Sequence, residues 1–436
     1  MENKSILLKD LLLFTKDGEW GHGSADDGLV EMSVIRGTDF ESVRLGDLSN
    51  IPIRYIPINI ADRKRLKAGD ILIETAGGTK DQPTGRTVYL KSNLFDRQKR
   101  SFICASFSRF LRINDEIADP EYVYWYLKYL YVTGEMYPYH IQHTGVARFQ
   151  YTEFASKTFI PLPSSREQRA IARILGSLDD KIELNRRANA TLEELARGLF
   201  RSWFVDFAPV RAKAEGRAPA GMDAATAALF PDGFETVDGR EVPRGWRFGS
   251  VYEIADVVYG APFASQLFNT ERNGLPLIRI RDLVDHNPEV FTPEEHPKQI
   301  IIQPGDIVVG MDGEFRVHHW NGPISKLNQR LCTFKPRDGF PKMFVSEVIK
   351  KPMMFFEQSK TGTTVIHLGK SDIDTIQVVI PYPSVLERFA ELTNPIMNRM
   401  LLNAEQSRTL AALRDALLPK LLSGELRVRE AERLGV

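Results

Sequence analysis

The hydrophobic positions of this chain form two kinds of segment, and each kind occurs twice. From Leu178, the positions Leu178, Ile182, Asn185, Asn189, Leu192, Ala196, Leu199 and Trp203 advance by alternating steps of four and three residues. That spacing is a seam along one side of an α-helix that packs on another helix. A shift of 218 residues lands on Ile396, Met400, Asn403, Ser407, Leu410, Arg414, Leu417 and Leu421. Only Arg414 breaks the seam character there, and Leu413, opposite Leu195, can fill its place. The pattern predicts two long helices that bury their seams against each other; helices that each cap only their own domain are the competing reading. Asn185 and Asn403 inside the seam cost stability but set the register, because mispairing strands a buried amide. Pro395 lies within the second pattern and predicts kinked or non-helical first turns.

Elsewhere the period is neither 2 nor 3.6. Short β-branched runs (ILIE, 71–74; IVVG, 307–310; QVVI, 377–380) mix with helical stretches such as YVYWYLKYL, 122–130. An α+β fold follows, with no strand order implied.

The globular stretches repeat as well. VIRGTDF (34–40) resembles LIRIRDL (277–283), which matches Ile35 with Ile278, Arg36 with Arg279 and Asp39 with Asp282. KAGDILIE (67–74) resembles QPGDIVVG (303–310), and FICASF (102–107) resembles QRLCTF (329–334), placing Cys104 opposite Cys332. The step Thr144-Gly145 matches Thr361-Gly362, and FIPLP (159–163) and VIPYP (379–383) close the two copies. The order of matches is the same in both, so the chain reads as a pseudo-twofold internal repeat. The expected organisation is a first globular domain (1–163), a spacer helix (164–207), an Ala/Gly/Pro-rich linker with one short helix at 223–230 (208–243), a second globular domain (244–383), and a second spacer helix with a tail (384–436).

Composition narrows the class. At 436 residues the chain has room for several cores. Lys plus Arg and Asp plus Glu both number 57, which argues against a dedicated non-specific nucleic-acid coat protein but permits local basic stripes. Two cysteines cannot build a disulfide framework or a zinc site. ILLKDLLLF near the start is broken by Lys9 and Asp10, and no apolar run is long enough for a membrane span. A cytoplasmic location is the expectation.

Catalytic machinery is hard to find. In GTTVIHLGKS (362–371), six residues separate the glycines where a phosphate loop has four. Asn394-Pro395-Ile396-Met397 is not the Asn-Pro-Pro-aromatic motif of adenine methyltransferases, and His318 and His319 are adjacent rather than at metal-ligand spacing. No G-x-S-x-G elbow occurs, although a triad of scattered residues stays open. The expectation is a non-catalytic chain without cofactor or metal.

The stretch 160–217 carries a specific resemblance. Its Pro-x-Pro exit, Glu167-Gln168-Arg169, Leu178-Asp179-Asp180-Lys181-Ile182 and Ser202-Trp203-Phe204-Val205-Asp206-Phe207 resemble the central region of the specificity subunits of type I restriction-modification systems. Ser423-Gly424-Glu425-Leu426 resembles that family's close, whereas Leu386-Glu387-Arg388 departs from its Glu-Gln-Arg helix start. The resemblance implies two target-recognition domains joined by two long antiparallel coiled-coil helices. It implies a bipartite, asymmetric target in double-stranded DNA, read by a chain that does no chemistry. It further implies assembly with two modification subunits, which use S-adenosylmethionine to methylate adenine, and with two restriction subunits, motor-nucleases that use ATP and Mg. Two readers on one side of a duplex need half-site centres about 34 Å apart, a distance that helices rising about 1.5 Å per residue can set. A specificity factor of another defence or methylation system, and a coiled-coil scaffold, are the alternatives.

Candidate DNA contacts follow the best-matched strand of each copy. The loop 312–322 (DGEFRVHHWNG) offers Arg316, His318, His319 and Asn321; its counterpart 74–86 (ETAGGTKDQPTGR) offers Thr79, Lys80, Gln82 and Arg86. Arg316 and Arg86 lead as guanine or phosphate contacts, because a guanidinium can bridge guanine O6 and N7. Arg36, Thr144, Arg148, Arg279, Thr361 and Lys370 complete the set. Two solvated loops are the competing reading.

Overall fold

The computed structural model describes residues 4–78, 82–96, 100–142, 146–359 and 366–428. The chain divides into two compact units, Met1–Leu184 with Arg408–Val436, and Asn185–Ser407. This division cuts each long helix within its length, whereas the motifs suggested boundaries at the helix starts.

In the first unit an antiparallel four-stranded sheet has the order Leu12–Asp17, Ser108–Ile113, Ile71–Glu74, Thr87–Tyr89. A second sheet places Leu29–Ile35 between antiparallel Ile53–Pro57 and parallel Ser101–Cys104. The aromatic stretch forms the helix Pro120–Val132, started by Pro120 and by Asp119, whose side chain accepts from the Tyr122 amide at 2.9 Å. Tyr122, Trp125 and Leu127 of this helix share one core with Ile174, Leu175 and Leu178 and with Leu417, Leu418 and Leu421. The unit thus buries the first half of one long helix and the last turns of the other.

The second unit repeats this topology. One sheet runs Ala255–Tyr259, Leu331–Pro336, Ile307–Gly310, Val317–His319; the other runs Phe291–Thr292, Leu275–Ile278, Ser325–Leu327, Ile301–Ile302. Again the strand carrying the Ile-Arg motif has a parallel neighbour, Ser325–Leu327. The turns before the matched GDI strands coincide: Asp70 accepts from the Lys67 amide at 2.7 Å, Asp306 from the Gln303 amide at 2.8 Å, and Gly69 and Gly305 both have φ of 88°.

Register corrects one sequence match. Cys104 pairs with Ile35 in the parallel strand, so its counterpart is Leu327, which pairs with Ile278. Cys332 instead pairs with Val309 in the four-stranded sheet, at the place where Arg109 pairs with Ile73. The two cysteines are therefore not equivalent.

Two further expectations change. The helix Pro383–Ser423 runs unbroken through Pro395. Pro395 and Glu391 both lie on its exposed face, so solvent can serve the carbonyl left without an amide partner. The stretch 208–243 is more than a linker: it holds the helices Ala208–Ala214 and Ala224–Ala228 and the hairpin Phe234–Val237 with Arg240–Pro243. Its Val210 and Phe230 belong to the core of the unit, with Phe230 against Trp203 at 4.9 Å.

Every position of both seams is buried or half-buried. Within the second unit, Asn185 meets Gln406 and Ser407 while Asn189 meets Met400 and Asn403, an antiparallel order. Arg414, the one seam position of the wrong character, is buried in the first unit as the partner of buried Asp179. Among the described residues no helix is long and apolar enough to cross a membrane.

Candidate nucleic-acid interface

In each unit the end of the matched strand, the loop after it and the Ile-Arg turn form one neighbourhood. Pairing register makes Arg86 and Arg316 equivalent: each precedes the residue (Thr87, Val317) that faces the third strand residue (Ile73, Val309). Their surroundings differ because the next strand residue is Glu74 in the first unit and Gly310 in the second.

Arg86 forms a two-pronged pair with Glu74, Nε to Oε2 at 2.9 Å and Nη2 to Oε1 at 2.7 Å, and Nη2 also donates to the Gly37 carbonyl at 3.2 Å. Glu74 is buried and Arg86 half-buried, so the guanidinium is committed to a carboxylate that water does not reach. Gly37 leaves room for this pair, since a Cβ would lie 2.8 Å from Glu74 Oε1 and displace it. Arg316 has no such partner: its side chain is 66% exposed, with Glu314 at 3.5 Å.

Arg36 and Arg279 each pair with the aspartate of their own turn. Arg36 donates through Nε and Nη2 to Asp39 at 2.9 and 2.8 Å, and Arg279 repeats both bonds to Asp282 at 3.0 and 3.0 Å. The same carboxylates accept from the Arg36 and Arg279 amides at 2.9 Å. The matched Ile-Arg-x-x-Asp motif therefore builds a self-capped turn, in which the Arg36 side chain stays 39% and that of Arg279 22% exposed.

His319 is half-buried. Its Nε2 lies 2.9 Å from Ser346 Oγ on the helix Lys342–Ser359, and burial, with a smaller effect of Lys350, pushes its pKa down to about 4. It is a neutral, half-buried residue tied to that helix. His318, on the opposite side of the same strand, is half-buried, and burial followed by nearby Arg316 lowers its pKa. Its ring lies 5.8 Å from His286, whose Nδ1 accepts from the Asn321 amide at 3.3 Å. Arg316, His318 and the backbone of Asn321 are thus brought together.

A third pair of equivalent positions sits on the segment bridged to the loops. Ala76 bridges Arg148 as Asp312 bridges His367, and the Phe149 and Leu368 amides donate to the Thr75 and Met311 carbonyls at 2.9 and 2.8 Å. Arg148 is exposed. Asp312 lies 2.6 Å from His367 Nδ1 and 3.0 Å from Arg330 Nη1. His367 and Arg330 were missed in the sequence because only the fold brings them to the loop 312–322; the nearby Thr-Gly step was the single local signal. Lys370 pairs with Asp374 at 2.8 Å, 5.6 Å from the centre of the Tyr252 ring. Gln82 is exposed. Thr79, Lys80, Thr144 and Thr361 lie outside the described residues.

Among the described residues no cluster has the makings of a metal site. Burial pushes the thiols of Cys104 and Cys332 up to about 12, which makes them poor nucleophiles.

Comparison with known proteins bears on this geometry. The family model for the type I restriction modification DNA specificity domain matches residues 36–194. The chain is 26% identical to the type I restriction enzyme HindI specificity subunit of Haemophilus influenzae, over 94% of this chain and 100% of that one. It is 27% identical to the type I restriction enzyme MjaIX specificity subunit of Methanocaldococcus jannaschii, over 70% of this chain and 69% of that one. The solved structure of a type I restriction-modification system S subunit from M. genitalium has the same fold, with a TM-score of 0.51 and 15% identity over 96% of this chain and 95% of that one.

Proposed function

We propose that this chain, which belongs to the specificity subunits of type I restriction-modification systems, reads a bipartite asymmetric DNA target and directs adenine methylation and cleavage by partner subunits. Each sheet pair is a target-recognition domain for one half-site, and the two long antiparallel helices are the spacer between the readers. The partners are two modification subunits, which carry S-adenosylmethionine, and two restriction subunits, which use ATP and Mg. The chain itself contributes recognition and no bond-making step.

One observation carries this reading: the two units share a scaffold to the level of strand register and capped turn, yet differ where that scaffold ends. Equivalent positions hold Glu74 and Gly310, Val88 and His318, Arg148 and His367. Readers of two different half-sites need this combination, because a constant frame places the loops while side chains with different donors and acceptors distinguish base edges. A scaffold holding two proteins would have no need of it.

The test is to map modified adenines in the genome of a host that carries this chain with its partners. The expected result is two short specific elements separated by a gap of fixed length. Modification at a single continuous motif, or without sequence preference, would overturn the reading.

A further inference from the structure

A pocket lies beside Arg316. Ile280, Leu283 and Val284 of the capped turn form its apolar wall, and Glu314, Arg316 and His318 its polar rim, around about 220 Å³. Val284 is 82% exposed although it is β-branched and apolar. In the first unit the corresponding place is closed. By the motif match, Ile280 stands where Gly37 is, Leu283 where Phe40 is, and Val284 where Glu41 is. Glu74 and Arg86 fill the space above Gly37 there, whereas in the second unit Gly310 brings no side chain and the Glu314 carbonyl lies against the place where its Cβ would be, so the loop backbone and not an ion pair borders the pocket.

An apolar hollow rimmed by a guanidinium and an imidazole matches one feature of a DNA major groove. The thymine 5-methyl is the one apolar group that the four bases present there, and guanine O6 and N7 are the acceptors a guanidinium fits. We propose that the second unit recognises a thymine by seating its 5-methyl group against Ile280, Leu283 and Val284, next to a guanine contacted by Arg316. This rests on the reading of the chain as a DNA-specificity subunit and adds to it the base content of one half-site. Glu314 lies on the same rim, where it keeps the guanidinium near the pocket at 3.5 Å and repels a phosphate at that spot. The site is therefore suited to a base edge rather than to the backbone.

The experiment uses the full chain assembled with its modification subunits. A random duplex library selects the target, and the half-site belonging to the second unit is the one whose preference changes in Arg316→Ala. Each thymine in that half-site is then replaced by uracil, which removes only the methyl group. Uracil at one thymine flanking a guanine is expected to weaken binding about 5-fold to 10-fold. Val284→Ser, at an exposed position that does not threaten folding, should weaken binding to the thymine duplex by a similar factor and abolish the thymine-uracil difference. Binding to the other half-site should be unchanged in both. A half-site with no thymine next to guanine, equal affinity for thymine and uracil at every position, or full discrimination in Val284→Ser would each overturn the pocket assignment while leaving sequence-specific binding intact. Failure of the unmodified complex to select any sequence would instead overturn the DNA-specificity reading, and the pocket assignment with it.

Discussion

Asn403 donates from Nδ2 to Oδ1 of Asn189 at 2.8 Å, and Asn189 donates in turn to the Met400 carbonyl at 2.9 Å. Asn185 completes the set through Gln406 Oε1 at 3.0 Å and Ser407 Oγ at 3.2 Å. Each amide thus meets partners above or below its opposite number, which ties the two helices to one axial offset in this unit.

Removing one member of this ladder costs more than removing its polarity altogether. Asn189→Ala strands the Asn403 amide in the seam and should destabilise by about 1–3 kcal/mol. Replacing Asn185, Asn189 and Asn403 together by Leu should leave the melting temperature equal or higher, while the variant selects its DNA target less sharply because register is no longer specified. Thermal unfolding alongside library selection checks both; a triple variant as selective as the parent would remove the register role.

Asp179 provides a second test, in the first unit. It is buried between Arg44, at 2.8 Å, and Arg414. Burial alone would raise its pKa, but Arg44, Lys128 and Arg414 outweigh that and hold it at about 2, below its ordinary 3.8. Because the folded-state value is depressed, its stabilisation is complete above about pH 4 and lost as pH falls towards 2. Asp179→Ala leaves buried cations without their counter-charge and should cost about 3–5 kcal/mol. Urea unfolding at pH 7 and pH 3 should show this penalty shrinking in acid.

Lys128 carries the opposite sign. Burial, then repulsion from Arg44, lowers its pKa to about 8 from the ordinary 10.5. The unfolded chain binds this proton more tightly, so the contribution of Lys128 to stability improves as pH rises from about 8 to 10.5. Lys128→Met keeps the packing and removes the buried charge, and should stabilise the protein by about 1 kcal/mol at pH 7. A lower melting temperature at that pH would show that the ammonium is needed to balance Asp179 and Glu41.

Arg86 and Arg316 should separate structure from recognition. Arg86→Ala leaves Glu74 buried and unpaired and should cost about 3 kcal/mol of stability. Arg316→Ala, at an exposed position, should change stability by less than about 0.5 kcal/mol while costing about 1–3 kcal/mol in binding and relaxing preference at one base position. A uniform fall in affinity across sequences, with a shallower salt dependence, would assign Arg316 to phosphate instead.

Much of this protein was legible in its residues. The alternating three- and four-residue steps from Leu178 and from Ile396 describe the faces that the helices bury, because helix periodicity is a local property of the chain. The GDI strands and Ile-Arg-x-x-Asp turns were also readable, since each is stabilised by bonds spanning three residues, such as Asp70 to the Lys67 amide and Arg36 to Asp39. What the tertiary structure alone decided are relationships between distant segments. Cys104 and Cys332 share a short sequence context, yet strand pairing puts them in different sheets. Arg86 and Arg316 occupy the same place in equivalent loops, but a buried Glu74 opposite one and Gly310 opposite the other commit the first to an ion pair and make the second an exposed guanidinium. A side chain's availability depends on which groups lie across from it in space, and pairing between strands many residues apart sets that neighbour.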